Sequence, residues 1–376
     1  MSFLISAFKE YGVLPFILIL SAIVFVHEFG HYWVARRCGI RIVTFSIGFG
    51  KPLFGWSDQH GTRWQVGWLP LGGYVKMFGD ADPSSALPDE TVAEMTDEEK
   101  KVSFFHQDVN KRMAVVIAGP VANYILAVVL IAVMFMFHGQ AFTQPVITAV
   151  IENGVAAHAG LEIGDKVLSI DGEAITRFED IVRIVTLNAG TPITMEIERK
   201  GADQAITLTP DVIAEKNFLG EHHMGRIGIT SDKVDYIKWP PVKAVREATI
   251  ETWNQSATML RAIGQIVTGV RASKEIGGVV SIARLLGSAA QQGAWALVWI
   301  AAIISINLGL INLFPIPVLD GGHMMFYILE KILGRPVNER VREFGMRVGF
   351  AMIVCLMVFA LSNDLHLTSK IQSLFS

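Results

Sequence analysis

The chain has 376 residues, 51% of them hydrophobic and 18% charged, with a mean hydropathy of +0.42. That is too apolar for a soluble enzyme of this length and points to an α-helical polytopic membrane protein. A net charge of −3 gives no basic excess, so no nucleic-acid partner is expected. The cysteines, Cys38 and Cys355, form neither a disulfide framework nor a C-x-x-C metal motif.

Crossing about 30 Å of hydrocarbon takes roughly 20 helical residues. Four segments qualify, approximately 11–34, 113–137, 295–314 and 345–362. The first lacks a small-residue cleavage site ahead of Arg36 and Arg37, so it reads as a retained anchor. It ends in His27-Glu28-Phe29-Gly30-His31. On a helix the two histidines stack on one face, where two imidazoles can bind one metal ion. Glu28 stands beside them, able to take a proton from an attacking water. The bland alternative is a chance match on a polar helix face. Three ionisable side chains in a span cost free energy, however, and function is the default reason to keep them.

Between the first two spans, Arg41–Gly50 and Trp64–Met77 are rich in β-branched and aromatic residues and read as β-hairpins. They either enter the membrane beside the metal, offering an edge to an extended peptide, or form a small cytoplasmic sheet. Asp80–Lys101 is acidic, contains prolines and reads as a partly disordered linker. The second span tolerates Gly119, Pro120 and Asn123 where neighbouring helices resatisfy its backbone.

A compact α+β domain is expected at 145–212. Strands are expected at Val146–Ile151, Lys166–Ile170, Thr191–Arg199 and Ala205–Pro210, with helices at Gly154–Gly160 and Phe178–Leu187. The run Asn153–Asp165, followed by Ile170-Asp171-Gly172, resembles a bacterial PDZ domain. In the remainder, 213–294, Val242, Val245, Trp253, Leu260, Ile263 and Val267 form a helical stripe. That helix either lies at the outer membrane surface or braces the PDZ-like domain.

A catalytic zinc usually takes three protein ligands. Asn312-Leu313-Phe314-Pro315-Ile316-Pro317-Val318-Leu319-Asp320-Gly321-Gly322 ends the third span. Its prolines break the helix and its glycines free the backbone, so Asp320 can be presented from a non-helical segment. Alternatively Asp320 caps the next helix, with His323 as the fallback ligand. Arg36, Arg37, Arg41, Lys111 and Arg112 fall between spans one and two. Lys331, Arg335, Arg340, Arg342 and Arg347 cluster around the connection of spans three and four. The positive-inside rule makes both connections cytoplasmic and 138–294 extracytoplasmic.

Together the HEFGH motif, the Asn-x-x-Pro-x-Pro-x-x-Asp-Gly motif and the intervening PDZ-like stretch resemble the site-2 protease family of intramembrane zinc metalloproteases. Within it the likeness is to the bacterial branch that regulates sigma-E. The resemblance implies one zinc per chain on His27, His31 and Asp320, with Glu28 as base. It implies substrate-handling roles for Asn307 and Asn312, and a membrane-entering β element at Gly72, Gly73 and Tyr74. It further implies single-pass membrane substrates trimmed first by a site-1 protease, a peptide at the PDZ domain, and residence in the bacterial inner membrane. Enterobacterial members carry two PDZ units where this chain has one. The expected organisation is 1–37 (first span), 38–112 (β region and linker), 113–137 (second span), 145–212 (PDZ), 213–294 (amphipathic linker), 295–323 (third span) and 324–376 (loop and fourth span). The rival functions are a membrane-anchored zinc peptidase acting on non-membrane peptides and a non-catalytic PDZ scaffold.

Overall fold

The computed structural model describes residues 13–80, 94–217, 220–269 and 277–364. In chain order the elements are α1 (Val13–Arg37), β1 (Ile42–Ser57), β2 (Arg63–Met77), α2 (Asp97–Val102), α3 (Val109–Phe137), β3 (Gln140–Thr143), β4 (Ala149–Val150), α4 (Val155–His158), β5 (Lys166–Ile170) and β6 (Glu173–Ala174). There follow α5 (Phe178–Leu187), β7 (Ile193–Arg199), β8 (Ala202–Leu208), β9 (Asp211–Asn217), β10 (Gly220–Arg226), β11 (Ile229–Thr230), β12 (Val234–Ile237), α6 (Pro241–Val267), α7 (Val279–Gln292), α8 (Ala294–Asn312), α9 (Asp320–Leu333) and α10 (Glu339–Asp364). They divide into a helical unit, 13–134, 242–264 and 277–364, and a strand-rich unit, 135–241 with 265–269.

Four helices among the described residues are long and apolar enough to cross a membrane: Leu14–Arg37, Val109–Phe137, Ala294–Asn312 and Arg340–Asp364. Pro120 sits inside α3, where its ring removes one helical hydrogen bond. One turn on, Asn123 is fully buried and its carbonyl accepts a hydrogen bond from Ser305 Oγ at 2.9 Å, which ties α3 to α8. At the start of α3, Arg112 Nη2 lies 2.5 Å from Glu330 Oε1 of α9, with the guanidinium over the Tyr327 ring. Helix α7, inside the stretch expected to be a linker, packs on α1, α8 and α10. Its first amides are capped from far away in sequence. Asp364 Oδ1 accepts from the Gly278 N–H at 2.9 Å, and Oδ2 from the Val280 N–H at 2.9 Å. A helix start needs such acceptors, and the end of α10 supplies them.

The two expected hairpins are one curled sheet. The first half of β1 is shared, with Phe45 opposite both Val75 and Trp64 and Ser46 opposite both Tyr74 and Gln65. The far half of β1 folds back, placing Trp56 opposite Trp64. The order is therefore 52–57, 63–67, 42–47, 73–77; the two outer pairings are antiparallel, 44–47 and 63–66 run in the same direction, and among the described residues the 73–77 segment is an outer edge. Pattern reading missed this because one strand that bends back to pair twice looks like two separate strands. The 81–93 part of the expected linker lies outside the described residues. Beyond it α2 is ordered by a capping box: Thr96 Oγ1 accepts from the Glu99 N–H, and the Glu99 carboxylate accepts from the Thr96 N–H.

In helix α6 the apolar stripe is not the packed face. Val242, Trp253 and Val267 are 87%, 73% and 80% exposed, whereas Ala244, Ala248, Thr252 and Ser256 are buried. Small side chains allow a close approach, and Ser256 Oγ meets the Tyr124 hydroxyl of α3 at 3.2 Å. The stripe is left outward, as the interfacial alternative requires.

In the strand-rich unit the sheet order is β6-β5-β7-β8, and α5 lays Ile181, Ile184 and Val185 against a core that includes Val167, Ile170, Met195 and Ile197. This unit continues past 212: β9 and β10 form a hairpin, β11 returns to pair with β4, and Ile227 completes the core. Its polar strands carry little apolar alternation, so the sequence pattern stops short of them. Burial by itself raises the Asp165 carboxyl, but two hydrogen bonds from Arg199 at 2.7 Å and one from the Glu162 N–H outweigh it and hold the group below the usual carboxylate value.

Candidate metal centre

Helix α1 buries both motif histidines, His27 and His31, at 7% and 8% exposure, toward α3 and α9. Their Nε2 atoms are 3.2 Å apart. Asp320 Oδ2 lies 3.2 Å from His27 Nε2 and 3.6 Å from His31 Nε2. Among the described residues this is the one cluster of such side chains able to hold a metal ion, all three donor atoms lying within 4.8 Å of one another. Three nitrogen and oxygen ligands at about 2.0–2.1 Å from a tetrahedral ion are separated by roughly 3.3–3.4 Å, so the spacing fits a tetrahedral site. Asp320 Oδ2 is buried, yet no hydrogen bond is directed at it. A carboxylate oxygen in that condition is explained by a cation between the donors.

Two features bring Asp320 there. After α8 ends at Asn312, residues 313–319 form a tight loop in which the Ile316 N–H donates to Phe314 O and the Leu319 N–H to Ile316 O. Val318 sits at φ +91°, a strained conformation for a β-branched residue, and lines the site cavity. Asp320 is then the first residue of α9 and not its cap; Leu319 holds the cap position and makes no side-chain cap bond. The capping alternative is thereby set aside. Gly321 and Gly322 have ordinary helical φ. Their function is close approach, since a Cβ on either would collide with the carbonyls of Phe314 and Ile316.

The cavity, about 190 Å³, is lined by His27, Glu28, His31, Gly73, Tyr74, Asn312, Asp320 and His323 among others. Gly73 belongs to the sheet edge and lies against α1; a Cβ there would come within 3.1 Å of Glu28 Cγ and 2.8 Å of the Ser46 carbonyl. Tyr74 OH accepts from Gln65 Nε2 at 3.0 Å. Asn312 Nδ2 is 3.3 Å from His27 Nε2. Of the expected site residues, Asn307 and Gly72 do not line this cavity: Asn307 lies more than a turn back along α8, and Gly72 turns the chain at φ +105° beside the Phe49 ring. His323 is buried in the cavity wall but outside the three-donor cluster.

Helix α3 supplies residues that motif reading passed over. His31 Nδ1 donates to the Val115 carbonyl at 2.8 Å. Gly119, one turn on, faces the imidazoles; a Cβ there would lie 2.8 Å from His27 Cε1 and closer still to the His31 ring. The signal was a glycine and an asparagine one turn apart in an otherwise apolar span.

Comparison with known proteins agrees with this geometry. A family profile described as peptidase family M50 matches residues 15–356. The chain belongs to peptidase family M50. A protein of Agrobacterium fabrum provisionally named a zinc metalloprotease is 43% identical, over 94% of this chain and 95% of its own. Metalloprotease MmpA of Caulobacter vibrioides is 34% identical over 93% and 94%. The regulator of sigma E protease of Salmonella typhi is 31% identical over 94% and 98%. Among solved structures, the PDZ domain of an SdrC-like protein from Listeria monocytogenes matches 24% of this chain and 90% of its own, at 20% identity and a TM-score of 0.20. The protein is an integral-membrane metalloprotease, and the scaffold reading falls.

Gly119→Ala tests the centre without touching a donor. Alanine favours a helix by about 1 kcal/mol over glycine, so α3 itself gains. Bound metal per purified chain, read by elemental analysis, should nonetheless fall by about tenfold or more. Unchanged metal content would contradict the packing described.

Proposed function

We propose that this protease is a zinc-dependent endopeptidase that cuts the spanning segments of single-pass membrane proteins, in the manner of regulated intramembrane proteolysis. The observation that carries the reading is the coincidence, in one cavity, of the donor cluster, Glu28 and an open sheet edge, all on or against span-length apolar helices. His27, His31 and Asp320 would hold one zinc per chain, which when bound would supply Lewis acidity to the scissile carbonyl and lower the pKa of water toward about 7. Glu28 takes the proton of the attacking water and returns it to the leaving amine.

A helical substrate keeps its peptide groups hydrogen-bonded internally, so it must unwind before it is cut. The 73–77 edge offers backbone partners to the unwound strand, and the Asn312 amide can donate to a freed carbonyl. A second cavity, about 330 Å³, opens beside Asp320 between Val116, Leu313, Pro315, Met324, Met325 and Ile328. Its apolar lining suits the side chains of a membrane segment.

The strand-rich unit acts as a PDZ-like module, a reading supported by its own turn residues and topology. Its groove, about 140 Å³, runs between Phe178, Ile181 and Val185 of α5 and the Gly225–Thr230 segment. It would hold a peptide or the remnant left by a site-1 protease. The family likeness supports a bacterial inner-membrane location, and the lysine and arginine bias supports this unit lying outside with the catalytic site toward the cytoplasm. Cysteines at Gly201 should then react with an impermeant reagent added to intact cells, and cysteines at Glu98 should not; reversed labelling would overturn the orientation.

For the mechanism, Glu28→Gln should keep bound zinc and still capture a trimmed single-pass substrate, while cleavage falls about 100-fold or more. Near-normal cleavage by that variant would exclude Glu28 as the base.

A further inference from the structure

An imidazole that ligates through one nitrogen holds its proton on the other, so the group facing the second nitrogen selects the tautomer. For His31 that group is the Val115 carbonyl, 2.8 Å from Nδ1. A carbonyl only accepts, so His31 carries its proton on Nδ1 and turns a bare Nε2 toward Asp320. For His27 the facing group is the side-chain amide of Asn123, with Nδ2 3.1 Å from Nδ1. Val115, Gly119 and Asn123 are successive residues at four-residue steps on one face of α3. The same face therefore reads both histidines, which are themselves four apart on α1.

An asparagine amide has a donor end and an acceptor end of nearly the same shape, and its partners decide which way it points. With Nδ2 toward His27, Oδ1 is buried without a hydrogen-bond partner in a residue that is 0% exposed. With His27 protonated on Nδ1, this orientation would also set N–H against N–H. Half a turn of the amide replaces that repulsion with an N–H···O bond, leaving the NH2 group in the place Oδ1 held. We propose that Asn123 is a positioning residue for the metal: its Oδ1 accepts the His27 Nδ1–H, fixes the proton there and aims the bare Nε2 at the point shared with His31 and Asp320. The Ser305 hydrogen bond to the Asn123 carbonyl holds this stretch of α3 in place. The inference rests on the zinc reading given above.

The test uses the full-length protein in detergent and measures zinc dissociation constants by chelator competition. Asn123→Leu removes the acceptor and should weaken zinc about 10- to 100-fold. Asn123→Asp offers oxygens and no N–H, so it should hold zinc within about threefold of wild type. An aspartate variant as weak as the leucine variant, or a leucine variant that binds like wild type, would overturn the proposal. If the leucine variant does not purify folded, the aspartate variant decides: tight zinc supports the proposal and a loss of about tenfold overturns it. A wild-type protein without zinc, or a His27→Ala variant that keeps it fully, would instead overturn the zinc reading itself.

Discussion

His27, His31 and Asp320 bring two imidazoles and a carboxylate to within 4.8 Å of one another inside a largely apolar helical unit. Without a cation among them, such groups are expensive to keep out of water, because each loses hydration that the others do not replace. With one, the same crowding becomes coordination, and the unit is built to enforce it. Gly119 lets α3 approach the imidazoles, the Val115 carbonyl orients His31, and the strained loop at Val318 turns the chain so that Asp320 opens α9 inside the cavity. A binding site that holds its ligand set by packing loses little entropy on loading, and strain at one residue is a tolerable cost in that arrangement.

The same packing brings the sheet to the chemistry. Gly73 has no side chain, so the outer edge of the curled sheet rests against α1 at Glu28. A proton acceptor, a donor cluster and the edge of the curled sheet thus share one cavity. Proteolysis of a helical segment needs all three, because an intact helix presents neither a free carbonyl nor an extended strand to the enzyme. On the proposed function, the apolar cavity beside Asp320 would accommodate the apolar side chains of a segment drawn from lipid.

Much of this was legible in the sequence for identifiable reasons. Spans announce themselves by hydropathy alone, and helices α5 and α1 kept the limits that pattern and motif set, to within a few residues where described. The HEFGH spacing placed two histidines on one face. The third donor was readable because two prolines interrupt an apolar run just before an acidic residue. What escaped was set by contacts between elements distant in sequence. A strand pairing on both sides looks like two strands. The buried face of α6 is made of alanine, threonine and serine, whereas hydrophobicity directs attention to the opposite face. Asn123 and Gly119 were noted as tolerated oddities in a span, and only the neighbouring helix gives them a role. Asn307 shares a helix with Asn312 but is not among the residues that line the cavity.

The central claim is the identity of the atoms that surround the metal. Zinc-edge X-ray absorption on the purified wild-type protein measures this directly. The account predicts about two imidazole nitrogens and one or two oxygens in a first shell at about 2.0–2.2 Å, with no sulfur. A sulfur shell near about 2.3 Å, or a zinc ion without imidazole scattering, would contradict it.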